Sequence, residues 1–168
     1  GFNAGPPFFP SLYNNNVQIF QSRDTAVILT EMIHDARIVP LAASAEEHRS
    51  LHDDLRLWSG DSRGYWDKDT LVVITRNFSD LTFSFSAQGT AYGKTLTERF
   101  TRTAADTVEY AFTVDDPTTF SDRIDAVVPM TKVAGQLYEY ACHEGNYGMV
   151  NILRGARAQE AREESSAD

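Results

Sequence analysis

The strongest constraint on the fold is the stretch at residues 59–78, SGDSRGYWDKDTLVVITRNF. Small residues (Ser59, Gly60, Asp61, Ser62, Gly64) lead into Tyr65 and Trp66, and Asp67-Lys68-Asp69 forms a polar turn. The run from Thr70 to Thr75 that follows is β-branched apart from Leu71. β-Branched side chains have few χ1 options and pack well on a pleated surface, so this run favours a strand. Strand, tight polar turn and strand make a β-hairpin.

The flanking sequence repeats that pattern. Residues 17–21 and 26–39 read as strands around the turn Ser22-Arg23-Asp24, and Leu81, Phe83 and Phe85 alternate with polar neighbours. Residues 96–100 and 108–114 form a second hairpin around Ala104-Ala105-Asp106. Residues 126–133 and 136–142 form another around Ala134-Gly135. One segment changes period: Ser44 with Glu47 is a capping box, which predicts a short helix near 45–55. About eight or nine short strands with regular turn signals predict an all-β domain, an antiparallel barrel or sandwich.

Three parts follow. Residues 1–16 hold Pro6, Pro7 and Pro10, which fix φ and deny helix, so they form an extended arm. Its Phe2, Phe8 and Phe9 are costly in water, so the arm should dock on its own barrel or on a partner. Residues 17–154 are the β domain, and the Ala- and Glu-rich 155–168 read as a frayed helix or disordered end. At 168 residues, one domain is the expectation.

The net charge of −9 repels phosphate backbones and anionic lipid, which disfavours nucleic acid and membrane surfaces as partners. No run of residues approaches the length of a spanning helix, so membrane insertion is not expected. The chain opens at Gly1 without an initiator Met, so upstream residues are expected to have been removed. The single cysteine, Cys142, allows no internal disulfide.

Several clusters carry possible chemistry. Glu31, His34 and Arg37 offer a base, an acid and an anion holder, but strict alternation puts His34 on the opposite face from the other two. The structural alternative is a charge ladder in which Arg37 pairs with Glu98 or Glu139. Glu98 (beside Arg99) lies between Leu96 and Phe100, and Glu139 between Leu137 and Ala141. Each carboxylate thus shares a face with apolar residues and must be paired with Arg37 or Arg99 or be perturbed. An acid/base lyase, isomerase or hydrolase would use these groups. Cys142-His143-Glu144 are strand neighbours pointing to alternate faces, so a Cys-His nucleophile is disfavoured. His48 and His52 have i, i+4 spacing but lack the glutamate of a zinc helix, so no metal is expected. Gly60-Asp61-Ser62-Arg63-Gly64 spells G-x-S-x-G, yet a strand follows where a nucleophile elbow needs a helix. Tyr13, Trp66, Tyr110, Tyr138 and Tyr140 could line a ligand cavity or simply fill the core.

The segments GDSRGYWDKDTLVVITRNF (60–78), LTERFTR (96–102), DTVEYAFTVDDPTTF (106–120) and YEYACHEGNYG (138–148) resemble a family of exported bacterial β-rich proteins. That family has a Gly-x-Ser-x-Gly-x-Trp-x-Gly-Asp-Thr-Leu-Val-Val-Asp-Thr hairpin and a strand with the Glu31, His34, Arg37 spacing. The resemblance spans most of residues 5–155. It implies a calycin-like (lipocalin-like) β-barrel exported to the periplasm or beyond, and it implies no reaction. Relatives carry a further N-terminal portion, which could supply a partner for Cys142. Lys68 stands where the family has Gly, and Ile74 where it has Asp. The expectation is an exported barrel, without a cofactor, that binds a small apolar ligand or a protein partner. The alternatives are a subunit of a homo-oligomer or larger extracytoplasmic assembly docked through the arm, and the acid/base enzyme.

Overall fold

The computed structural model describes residues 6–44, 54–141, 145 and 147–165. It contains two antiparallel sheets. The first has β1 (Val17–Gln21), β2 (Thr25–Thr30) and β3 (Ala36–Pro40) in that order. The second has β4 (Asp61–Asp67), β5 (Thr70–Arg76), β6 (Thr95–Ala104), β7 (Thr107–Asp115) and β8 (Ile124–Thr131), each paired with the next. The 59–78 hairpin is present as β4 and β5, and the 96–114 hairpin as β6 and β7.

The β4–β5 turn pairs Asp67 with Thr70 and leaves Lys68 at φ 56°, a left-handed conformation that glycine takes more readily. The sheets meet where Leu41 bridges Gly64 in parallel, and the Ala42 N–H donates to the Gly64 carbonyl at 2.8 Å. Gly64 makes this approach possible, because a Cβ there would sit 2.9 Å from Leu41 Cδ2 and 3.0 Å from Val39 Cγ1. Ala26, Ile28 and Val39 of the smaller sheet join Leu71, Val73, Leu96, Phe100, Tyr110, Phe112 and Val114 of the larger in one core.

Several expectations are corrected. The strand expected over residues 26–39 is two strands, because the chain turns at 31–35, with Ile33 at φ 61° and His34 at φ 45°. Residues 81–85 form turns and an isolated bridge, not a strand; the Ala91 N–H donates to the Thr82 carbonyl there. Residues 136–141 join neither sheet. Among the described residues the two sheets do not close into a barrel. The tail is helical from Gly148 to Ser165 (α1), starting inside the expected β domain, with no residue buried. Most of the expected 45–55 helix (45–53) lies outside the described residues, and 54–55 are non-helical.

The described part of the arm docks on its own domain. Phe8 packs against Tyr110 with ring centroids 5.6 Å apart, and its N–H donates to the Tyr110 hydroxyl at 3.0 Å.

Candidate functional site

Two places carry the candidate residues: a buried charge cluster between the sheets, and a cleft at their open edges. In the cluster, Arg37 on β3 meets Glu98 on β6 through two hydrogen bonds, Nη1 to Oε2 at 2.5 Å and Nη2 to Oε1 at 3.0 Å. The Tyr110 hydroxyl, one strand over, donates to Glu98 Oε1 at 2.8 Å. Arg37 Nη1 also reaches Thr75 Oγ1 at 3.4 Å, and Thr75 shares a 2.8 Å hydrogen bond with Ser62. Phe8 lies under the guanidinium, 5.3 Å from ring centroid to Cζ. Glu98 is fully buried and Arg37 nearly so. Burial, then the neighbouring Glu98 charge, pushes the Tyr110 phenol far above its usual pKa, so it stays a donor.

The cluster continues into a second buried polar group. Lys94 Nζ lies 4.0 Å from the Phe78 ring centroid and donates to the Ser84 carbonyl at 2.9 Å. Burial lowers its pKa to about 8, against the opposing pull of Glu98 and Asp116. Burial alone would raise Asp116, but hydrogen bonds from Ser84, Thr118 and Thr119 outweigh it and hold the carboxyl below its usual range. Both groups serve packing: among the described residues, Arg37 Nε is the one buried side-chain N or O atom without a hydrogen-bond partner.

The other expected site residues lie elsewhere. Glu31 opens the turn after β2 and accepts from the Asn16 side chain at 2.8 Å and the Asn16 backbone at 3.2 Å. His34 is exposed on that turn, so no base–acid pair of Glu31 and His34 faces the interior. Arg99 is exposed, 3.8 Å from Asp67. Glu139 is exposed and off the sheets, so Arg37 chose Glu98. Tyr13, Trp66 and Tyr138 are exposed, Tyr140 is half-buried, and Tyr110 belongs to the core. These five do not surround a common cavity. Cys142, His143, Glu144, His48 and His52 lie outside the described residues. Among the described residues, no three His, Cys, Asp or Glu side chains are grouped to hold a metal ion.

The cleft has about 900 Å³ of space. β1 contributes Val17 and Ile19, β8 contributes Val128 and Met130, and Met32 and the arm's Phe8 and Phe9 add apolar wall. Asn14, Asn16, Gln18, Thr131 and Lys132 supply polar groups. The arm phenylalanines were the one sequence signal for this cleft; the open strand edges depend on pairing that no single segment encodes.

Comparison with protein families, with curated proteins and with solved structures found no match to this chain.

Proposed function

We propose that the two sheets are a calycin-like barrel opened along one seam, and that the seam cleft binds a small apolar ligand with one polar end. The supporting observation is the 900 Å³ cleft itself, which falls within the roughly 300–1,000 Å³ range of ligand sites. Apolar groups interleaved with polar ones from both the β1 and β8 sides suit a hydrocarbon or aromatic body that also carries an oxygen-bearing head. Lys132 is the cation among its lining residues and would draw an acidic head. Export to the periplasm or beyond accords with this reading and rests on the family resemblance.

Catalysis has less support. Glu98 is held by Arg37 and Tyr110 inside the core, away from the cleft, and His34 sits on a separate turn. A protein partner is the second reading, because α1 exposes Met149, Val150, Ile152 and Leu153 in its first half. In that reading the helix, not the self-docked arm, makes the contact.

Anilinonaphthalene sulfonate, an apolar dye with an acidic head, tests the cleft. Its fluorescence should rise saturably with wild-type protein, and Met130→Glu, which sets an anion where the acidic dye binds, should weaken binding at least about tenfold, a loss near 1.4 kcal/mol. Equal binding by the two proteins would defeat the proposal.

A further inference from the structure

The seam has two open strand edges. Each strand is antiparallel to its neighbour, except where β3 meets β4 in parallel, so β1 and β8 run in the same direction. A single strand between them could run antiparallel to both.

We propose that the seam is a strand-addition site and that its occupant is the chain's own segment 136–141. Four observations point to it. Only residues 132–135 separate the end of β8 at Thr131 from the segment, and Gly135 among them lets the chain turn back sharply. Gly135, Gln136 and Leu137 already line the cleft between the two edges. The sequence alternates as a strand does, with Tyr138 and Tyr140 on one side and Leu137 and Glu139 on the other.

The register of such a hairpin supplies the fourth. The Lys132 N–H donates to the carbonyl of Asp106, just before β7, so the alternate residues Pro129 and Thr131 face the seam. Pairing Thr131 with Leu137 across a loop at 132–136 sets Tyr138 opposite Met130 and Tyr140 opposite Val128, two β8 residues that pack on the core. Glu139 then falls opposite Pro129, on the solvent side with its exposed neighbours. The added strand would bury a tyrosine pair beside β8 and complete a continuous wall from β1 to β8. Pro129 has no N–H to donate, which thins the ladder and favours a reversible closure.

Closing would also fill the cleft, so the segment gates whatever binds there; this consequence rests on the ligand reading above, whereas the strand assignment does not. Amide hydrogen exchange read by NMR at two protein concentrations tests the strand. The amides of residues 137–141 should exchange at least about 100-fold more slowly than an unstructured chain, at both concentrations. Gly135→Val, whose β-branched side chain resists the tight turn between the two strands, should remove that protection and leave β5 to β7 protected. Unprotected amides in the wild-type protein would overturn the proposal. So would protection that grows with concentration, because the strand would then come from a second copy. Dye binding measured in parallel should rise in Gly135→Val; loss of protection with unchanged dye binding supports the strand and counts against the ligand reading alone.

Discussion

Glu98 sits between Leu96 and Phe100 on one face of β6, and that spacing alone aims its carboxylate inward. The expected charge ladder also named its partner, Arg37, with Glu139 as the other candidate carboxylate. Alternation through residues 26–39 assigned Arg37 to the face of Glu31, but Ile33 and His34 take left-handed backbone and reset the parity. No Gly or Pro marks that break, so the pair was legible as an option while the turn that aims Arg37 inward was not. The pair is costly to break. Arg37→Ala leaves a buried carboxylate without its cation and should lose about 3–5 kcal/mol of stability. Arg37→Met with Glu98→Leu removes both charges and should recover most of that loss, although Tyr110 forfeits its acceptor. Urea unfolding of both variants measures the difference, and a double variant no more stable than Arg37→Ala would contradict the pairing.

Lys94 gives the pH dependence its sign. Its pKa is about 8 in the folded protein and near 10.5 unfolded, so between those values the unfolded chain holds more protons. Stability should therefore rise from pH 8 toward 10, by on the order of 1–2 kcal/mol. Tyr110, whose pKa is raised on folding, works the other way above pH 10, where the unfolded phenol ionises first. Urea midpoints at pH 7.5, 9.5 and 10.5 follow the curve, and Lys94→Met should flatten its rising limb. A midpoint that falls steadily from pH 7.5 would contradict the assignment.

At the scale of elements, β-branched runs with a polar turn between them were enough to locate β4–β5, and the apolar alternation at Val108, Tyr110, Phe112 and Val114 located β7. Residues 81–85 show the limit, since Leu81, Phe83 and Phe85 alternate perfectly yet find no partner strand for a ladder. Pairing is a property of two segments, and periodicity reports on one. The joint between the sheets likewise depends on a residue without a side chain. Gly64→Ala would place its Cβ against Leu41 and Val39, which should cost about 1–3 kcal/mol. Leu41→Ala in the same chain should relieve part of the crowding, and thermal unfolding of the single and double variants measures both effects. A neutral Gly64→Ala would mean the sheets can part freely there.

For the whole molecule, the sequence carried the class but not the closure. The two sheets share one core, yet among the described residues two edges stay open, and the cleft between them is built from β1, β8 and the arm, whose order in space cannot be read from any motif. The residues with the most chemical promise in the sequence ended as a packed ion pair, while the proposed ligand site is a seam lined by Val, Ile, Met and Asn. An NMR titration with anilinonaphthalene sulfonate separates the two locations in one experiment. Amide shifts concentrated at Val17–Ile19 and Val128–Thr131 are the expected result. Shifts concentrated at Arg37, Glu98 and Tyr110, with the seam silent, would contradict the account.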